Sequence, residues 1–355
     1  MSIHVLECEL AGRKLRLETG RLANQADAAV VCQYGDTVAL ATVGISADPV
    51  DADFLPLRVD FEERMYAAGR IPGGFFRREG RPSEEAVLTG RRIDRPIRPL
   101  LPSGLRHDVQ IIATPLSAEH GSSVDVVSML GASVAMSISS VPFGGPLGVA
   151  LIGRVDQEFI VNPSFEQVEA GSMSLLVAAT RTGVVMIELQ ADQVEEAVVA
   201  DALNLGFNQC QTVIDLIEPF IEEASKSKRE VTLWEPRPEI VEAVRALEDR
   251  VVAALDTPTN KERSEGLRLI TKELVAQLEA VHENPRPDVE AVIAEITGEY
   301  LKRVVLEEGR RVDGRTFDQV RPITCEVDLL PRVHGSALFQ RGETQVLTIT
   351  TLGAT

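Results

Sequence analysis

Residues 26–43 read ADAAVVCQYGDTVALATV: two apolar, β-branched runs on either side of Tyr34-Gly35-Asp36-Thr37. Such runs around a Gly/Asp turn predict a β-hairpin. The pattern returns 307 residues later, at residues 333–350, as VHGSALFQRGETQVLTIT. Gln33, Gly35, Thr37 and Leu40 match Gln340, Gly342, Thr344 and Leu347, and Asp36 matches Glu343 in charge. Gly12-Arg13 stands upstream of the first copy and Gly314-Arg315 upstream of the second. The same features in the same order mark a duplicated β-rich unit. The second copy reaches Thr355 after its first hairpin, so the sequence reads as truncated within it.

Around the first hairpin, strands are expected at residues 4–9, 15–18, 54–61 and 109–115, with hairpins over 147–161 and 174–189. A helix of small apolar residues should run from Ser122 or Ser123 to Ser139 or Ser140. Its Gly131, Ala132 and Ala135 permit close approach to a sheet. Asp192 with Glu195 forms a capping-box pattern for a helix continuing toward Ile214 and Ile217. Residues 225–238, SKSKREVTLWEPRP, are charged and end in prolines, the signature of a linker. Three helical patterns follow, at about residues 239–255, 260–281 and 288–306, with Thr259 and Glu262 as a second capping box. Ten Lys/Arg against seventeen Asp/Glu give residues 235–308 a net charge of −7, with no catalytic cluster. The fold class is therefore α+β: a first domain at 1–230, an all-helical domain at 235–308, and the opening of a second domain at 309–355. Residues 322–355 lack a sheet and helices to cover them. They are expected to be poorly ordered or to pair with another chain.

The chemistry-bearing stretch is residues 71–102, IPGGFFRREGRPSEEAVLTGRRIDRPIRPLLP. A Gly-Gly turn leads into Phe75 and Phe76, and Arg77, Arg78 and Arg81 follow. Ser83 can cap a short helix with Glu84 and Glu85 in its first turn; Pro96 and Pro99 should end it. Arg91 and Arg95, four apart, share one helical face. Residues 64–106 hold ten Arg, no Lys and four acids, a net of +6 inside a chain of −18. Arginine forks bind phosphate oxygens bidentately, and neighbouring aromatics can stack bases. Together they suit a confined single-strand nucleic-acid site. The competing reading makes Phe75 and Phe76 core anchors under a solvated arginine surface.

A net charge of −18 argues against a protein that coats nucleic acid over its whole surface. No apolar run approaches a bilayer span, and no basic, apolar leader opens the chain, so a cytoplasmic protein without membrane contact is expected. Cys8, Cys32, Cys210 and Cys325 are scattered and read as buried free thiols rather than disulfides or a zinc site. Asp36 and Glu343 read as turn residues rather than a carboxylate pair, and His334 as a packed or surface histidine ahead of one that approaches an active site.

GGFFRREGRPSE (73–84), RIDRPIRPL (92–100), RRVDGR (310–315) and HGSALFQRGETQ (334–345) occur in the order and at the distances found in bacterial polynucleotide phosphorylases. The whole chain resembles that family. The resemblance implies a ribonuclease-PH-like first domain (ribosomal protein S5 domain 2-like), an all-helical domain and the start of a second ribonuclease-PH-like domain. It implies a homotrimer whose loops line a central channel. Phe75 and Phe76 would stack on bases of single-stranded RNA, Arg77 and Arg78 would hold phosphates, and Arg91 and Arg95 would contact RNA near the active site. The implied reaction is processive 3′-to-5′ phosphorolysis, with inorganic phosphate as co-substrate and nucleoside diphosphates as products, and its reversal as polymerisation. Mg²⁺ is expected, with its ligands and the phosphate loop downstream of Thr355, so no catalytic residue or metal ligand is assigned within the chain. A multi-enzyme RNA-degrading complex is a further implied partner. The rival from another class is a non-catalytic RNA-binding or assembly subunit of an exosome-like ring. A one-copy ribonuclease PH acting on tRNA ends fits less well, because of the helical domain and the repeat.

Overall fold

The computed structural model describes residues 2–119, 123–257 and 259–354. The chain divides into two compact units, Met1–Trp234 and Glu235–Thr355.

In the first unit, β1 (His4–Leu10), β2 (Arg13–Thr19), β3 (Ala28–Tyr34) and β4 (Thr37–Pro49) form an antiparallel meander. β5 (Leu57–Phe61) and α1 (Glu84–Ile97) follow, and then β6 (His107–Ser117). β6 pairs antiparallel with β4 and parallel with β5, giving the order β1-β2-β3-β4-β6-β5. α2 (Val124–Ile138) precedes the second sheet. That sheet comprises β7 (Gly148–Val155), β8 (Glu158–Val161), β9 (Met173–Ala179) and β10 (Val184–Ala191), in the order β10-β9-β7-β8. The short α3 (Phe165–Ala170) links β8 to β9, and α4 (Glu196–Ala224) packs on β7 and β9.

Period-2 burial fixes which face of each strand meets the core. Thr37, Ala39, Ala41 and Val43 of β4 are buried, as are Val109, Ile111 and Ala113 of β6. α2 is buried on every side from Val126 to Ile138, because it packs on β3, β4, β6, β7 and α4 together. The small residues singled out in the sequence make this possible. A Cβ at Gly131 would lie 3.2 Å from the Cys32 Cβ and 3.4 Å from the Ala41 Cβ. Of the four thiols expected to be buried, Cys32 and Cys210 are; Cys8 is half-buried and Cys325, on an uncovered edge strand, is exposed. Burial pushes the Cys32 and Cys210 thiols up to about 12, so both remain protonated packing groups.

The second unit holds α5 (Pro238–Arg245), α6 (Glu248–Leu255), α7 (Asn260–Leu278) and α8 (Arg286–Leu306). Ile240, Val244, Val251, Leu274, Val292 and Ile296 are among its buried core residues. The Thr259/Glu262 capping box forms as expected. β11 (Ile323–Val327), β12 (Gly335–Arg341) and β13 (Thr344–Thr350) make an antiparallel sheet.

The repeat is structural. Gln33 Nε2 donates to the Gly35 carbonyl at 2.9 Å, and Gln340 Nε2 donates to the Gly342 carbonyl at 2.8 Å. Both glycines have φ of +62°, the left-handed turn position that a side chain would strain. Across the hairpins, Tyr34 pairs with Thr37 and Gln33 with Val38, just as Arg341 pairs with Thr344 and Gln340 with Gln345.

Several expectations are corrected. Pro96 does not end α1: it lies buried in the last turn, where one missing N–H is tolerated, and Pro99 falls in the 3-10 turn Arg98–Leu100. Asp192 does not cap α4. Its amide still pairs with the Ser172 carbonyl, Gln193 turns at φ +49°, and the helix starts at Glu196 with no side-chain cap. The strand expected from residue 54 begins at Leu57 and is parallel to its neighbour, with Phe54 left exposed. The single helix expected over 239–255 is two, because α5 packs on α8 while α6 packs on both α7 and α8. Ser123 occupies the N-cap of α2 without a side-chain cap bond; Ser122 lies outside the described residues.

Residues 225–234 are not a free linker. They are irregular, but they strap the first unit. Lys228 Nζ donates to the carbonyls of Met136, Ser137 and Ser139, closing the C-terminal end of α2. Trp234 donates its amide to the Gly104 carbonyl and lies under the Arg106 guanidinium, 4.9 Å from the ring centroid. The stretch expected to lack order forms a sheet instead: ladder bonds hold Ile323–Val327, Gly335–Arg341 and Thr344–Thr350 together. Ser336 accepts from the Leu330 amide, and His334 Nδ1 accepts from the Leu352 amide, which places His334 at the start of the central strand. β11 and β13 remain exposed along their length.

Candidate nucleic-acid interface

The Phe-Arg stretch lies on an irregular loop between the 3-10 turn Met65–Ala68 and α1. The Arg77 amide closes a tight turn on the Gly74 carbonyl at 3.0 Å, which puts Phe75 and Phe76 at the apex. Arg77 itself takes the left-handed conformation, at φ +52°. Gly73 and Gly74 do not, and a Cβ on either would meet nothing within 4 Å. The glycines therefore supply slenderness rather than a turn. Glu79 Oε1 accepts the Met65 amide at 3.0 Å and ties the loop's base to the preceding turn.

Phe75 is 94% exposed and Phe76 77%, which excludes the core-anchor reading. Their rings stand edge to face, centroids 5.3 Å apart at 85°. Two large apolar rings held in water at a loop apex are the arrangement a stacking platform requires.

The arginines separate into two groups. The side chains of Arg70, Arg78, Arg81, Arg91 and Arg95 make no ion pair or hydrogen bond among the described residues, and the Arg77 guanidinium makes only a 3.4 Å contact to the Pro72 carbonyl. These cations are uncommitted. Arg91 and Arg95 share the exposed face of α1, as their spacing predicts. No hydrogen bond or ion pair among the described residues joins them to the loop.

The second group is structural, and sequence spacing alone did not separate it out. Arg92 reaches Glu85 at 2.7 Å, Asp125 of α2 at 2.8 Å and Glu188 of β10 at 2.8 Å. Burial works against its charge, but the carboxylates of Glu85, Glu188 and Asp125 outweigh it and hold the guanidinium firmly protonated. Asp125 also accepts from Thr89 Oγ1 at 3.0 Å, and burial holds its carboxyl above the usual Asp range. Arg98 binds Asp94 and the Leu55 and Leu57 carbonyls. Arg92 and Arg98 thus fasten α1 to the body from within, and Arg91 and Arg95 point away from it. The one signal in the sequence that could have separated them is the apolar pair Ile93 and Ile97, four apart, which marks the inner face that the structure buries.

Among the described residues, no three His, Cys, Asp or Glu side chains gather as a metal site, and no helix is long and apolar enough to cross a membrane. Asp36 and Glu343 lie in their hairpin turns.

The family model "3' exoribonuclease family, domain 1" matches residues 11–142 and again residues 319–355, which agrees with the structural repeat. Its domain 2 matches residues 146–209, and "Polyribonucleotide nucleotidyltransferase, RNA binding domain" matches residues 239–316. The chain is 44% identical over 353 residues to the polyribonucleotide nucleotidyltransferase of Heliobacterium modesticaldum, covering 99% of this chain and 50% of that protein. It is 42% identical over 354 residues to the Bacillus subtilis protein of that name, with 99% and 50% covered. The Staphylococcus carnosus protein is 44% identical over 359 residues, with 99% and 51% covered. The chain spans about half the length of these curated relatives. A first ribonuclease-PH-like domain, a helical domain and a second copy of the opening hairpin, each matched in order, place it: the chain belongs to the polyribonucleotide nucleotidyltransferase family.

Proposed function

We propose that the protein containing this chain degrades single-stranded RNA by phosphorolysis from the 3′ end. An oxygen of inorganic phosphate attacks the terminal phosphodiester phosphorus, the 3′-oxygen of the preceding nucleotide leaves, and a nucleoside diphosphate departs. Run in reverse, the reaction extends RNA. The observation that carries the reading is the exposed Phe75/Phe76 pair beside the uncommitted Arg77 and Arg78, on a chain of this family.

In this reading Phe75 and Phe76 stack on successive bases, which accepts any sequence because every base has a π-face. Arg77 and Arg78 hold phosphates at the loop, and Arg91 and Arg95 hold them along α1. Arg92 takes no part in binding; it keeps α1 in place. The grip is useful for processive digestion if several copies of the loop surround the strand, so a homotrimer with a central channel belongs to the proposal. So do association with other RNA-degrading enzymes and a cytoplasmic location. Mg²⁺ would neutralise charge on the reacting phosphate. The described residues do not gather a set that fits it, so no step is derived through the metal.

The test is nucleoside diphosphate release from poly(A) in the presence of inorganic phosphate and Mg²⁺. It is run on residues 1–355 and on a protein extended to the length of the relatives. The extended protein should release ADP; residues 1–355 alone should not, because positioning of phosphate and charge stabilisation dominate such transfers. An extended protein that binds poly(A) but never releases ADP would support the ring-subunit reading instead.

A further inference from the structure

The second unit carries its own arginine site. Six cations lie in residues 309–355, and all are Arg. Arg315, Arg321 and Arg341 converge with Arg263 around a cavity of about 570 Å³, whose lip is formed by Thr259 and Asn260 at the start of α7. Asp313 and Glu343 are the acids that line it. Asp313 is committed: it accepts from Arg315 Nε at 2.9 Å and lies 3.8 Å from Arg321. The Arg315 fork also donates to the Gln319 carbonyl, so it forms a fixed floor. Arg341 has no ion-pair partner among the described residues, and Arg263 bonds only to the Thr257 carbonyl.

Gly342 gives the site its shape. A Cβ there would lie 3.0 Å from Arg321 Cδ, so the bare turn leaves room for the Arg321 side chain against it. The N-terminal end of α7 adds partial positive charge at the lip. An adjoining hollow shares Arg315, Arg321 and Arg341 and adds Arg311 and Phe317, which is 51% exposed. Clustered arginine forks beside an exposed ring repeat the chemistry of the Phe75 loop. They do so in a unit whose helical part is net negative.

We propose that this arginine cavity is a second contact for the phosphates of single-stranded RNA, with Arg263 and Arg341 as its uncommitted phosphate-binding groups and Phe317 as its flanking ring. The inference rests on the RNA reading above and adds a site in the other unit.

The experiment measures binding of a labelled oligoadenylate to residues 1–355 by anisotropy, across a salt series. The proteins are wild type, Arg263→Gln, Arg341→Gln, the double variant, and Phe75→Ala/Phe76→Ala. Each arginine variant should melt as wild type does and lower the magnitude of the log Kd against log salt slope by about 0.7, and the double by about 1.4. Inorganic phosphate and ADP at matched ionic strength serve as competitors. Unchanged slopes in the arginine variants, with weakened binding in the phenylalanine variant, would overturn the second contact alone. Reduced slopes with an unaffected phenylalanine variant would sustain it and remove the loop's role. Arginine variants that alter only the competition by phosphate or ADP would make the cavity a small-anion site and overturn the RNA assignment.

Discussion

Arg92 and Asp125 meet at 2.8 Å across the contact between α1 and α2, directly behind the helix face that presents Arg91 and Arg95. One arginine of the cluster is thus spent on positioning its neighbours. Removing it leaves Asp125 buried without its counter-charge. Arg92→Met should lower stability by about 3 kcal/mol, at the low end for buried pairs because the Arg92 side chain is still 20% exposed. Arg92→Met/Asp125→Leu should recover part of the loss. Urea denaturation of both variants checks this, and a double variant no more stable than Arg92→Met would mean that the unpaired Asp125 is not the source of the loss.

The same pair gives a pH dependence with a definite sign. Burial outweighs Arg92 and Thr89 and raises the Asp125 pKa in the folded state above 3.8. Its stability contribution is therefore complete below that value and is lost as pH rises through the raised one. Asp125→Asn removes the titration. The stability of wild type relative to this variant should fall as pH climbs from about 3.8 into the raised range, and then level off. Thermal melts of the two proteins between acid and neutral pH follow it; a gap that widens in favour of wild type would show that the Arg92 attraction dominates.

Phe75 and Phe76 contribute no burial to the core, so Phe75→Ala/Phe76→Ala should leave the melting temperature unchanged. RNA affinity should drop by about 1–3 kcal/mol per lost stack, with little dependence on homopolymer identity. Calorimetry paired with homopolymer binding separates the two effects. A lowered melting temperature with intact binding would reverse the assignment.

Charge removal should sort the arginines. Arg78→Ala, Arg91→Ala and Arg95→Ala should each reduce the salt slope of RNA binding by about 0.7 without loss of stability. Arg98→Ala should do the opposite, because its fork holds Asp94 and two carbonyls beside β5. A salt series with a melt for each variant decides it.

Lys228→Met should destabilise the first unit by about 2 kcal/mol, since three carbonyls at the end of α2 lose their donor. Burial lowers the Lys228 pKa, yet these bonds need its protons. Hydrogen exchange should speed up in the last turn of α2; unchanged protection there would make the strap incidental.

Much of this molecule is legible in its residues. The Gln-x-Gly-acid-Thr repeat determined two hairpins of one design, because glycine takes φ +62° without strain and the glutamine two positions before it reaches that glycine's carbonyl. Thr259 and Glu262 determined a helix start, since both groups act within one turn. The excess of arginine over lysine beside Phe75 and Phe76 marks the loop in the sequence itself. These are local rules, set by neighbours in sequence. Tertiary structure decided what depends on distant neighbours. Whether Phe75 and Phe76 were core or surface could not be read from spacing; the absence of a packing partner for the loop apex decided it. Arg91 and Arg92 are adjacent and identical, and only the placement of Asp125 and Glu188, on other elements, gives one to structure and leaves the other free. The parallel pairing of β5 with β6, the strap at Lys228 and the convergence of Arg263 with Arg341 have the same origin. Each joins groups far apart in the chain, and folding alone brings them within range of a hydrogen bond or a shared charge.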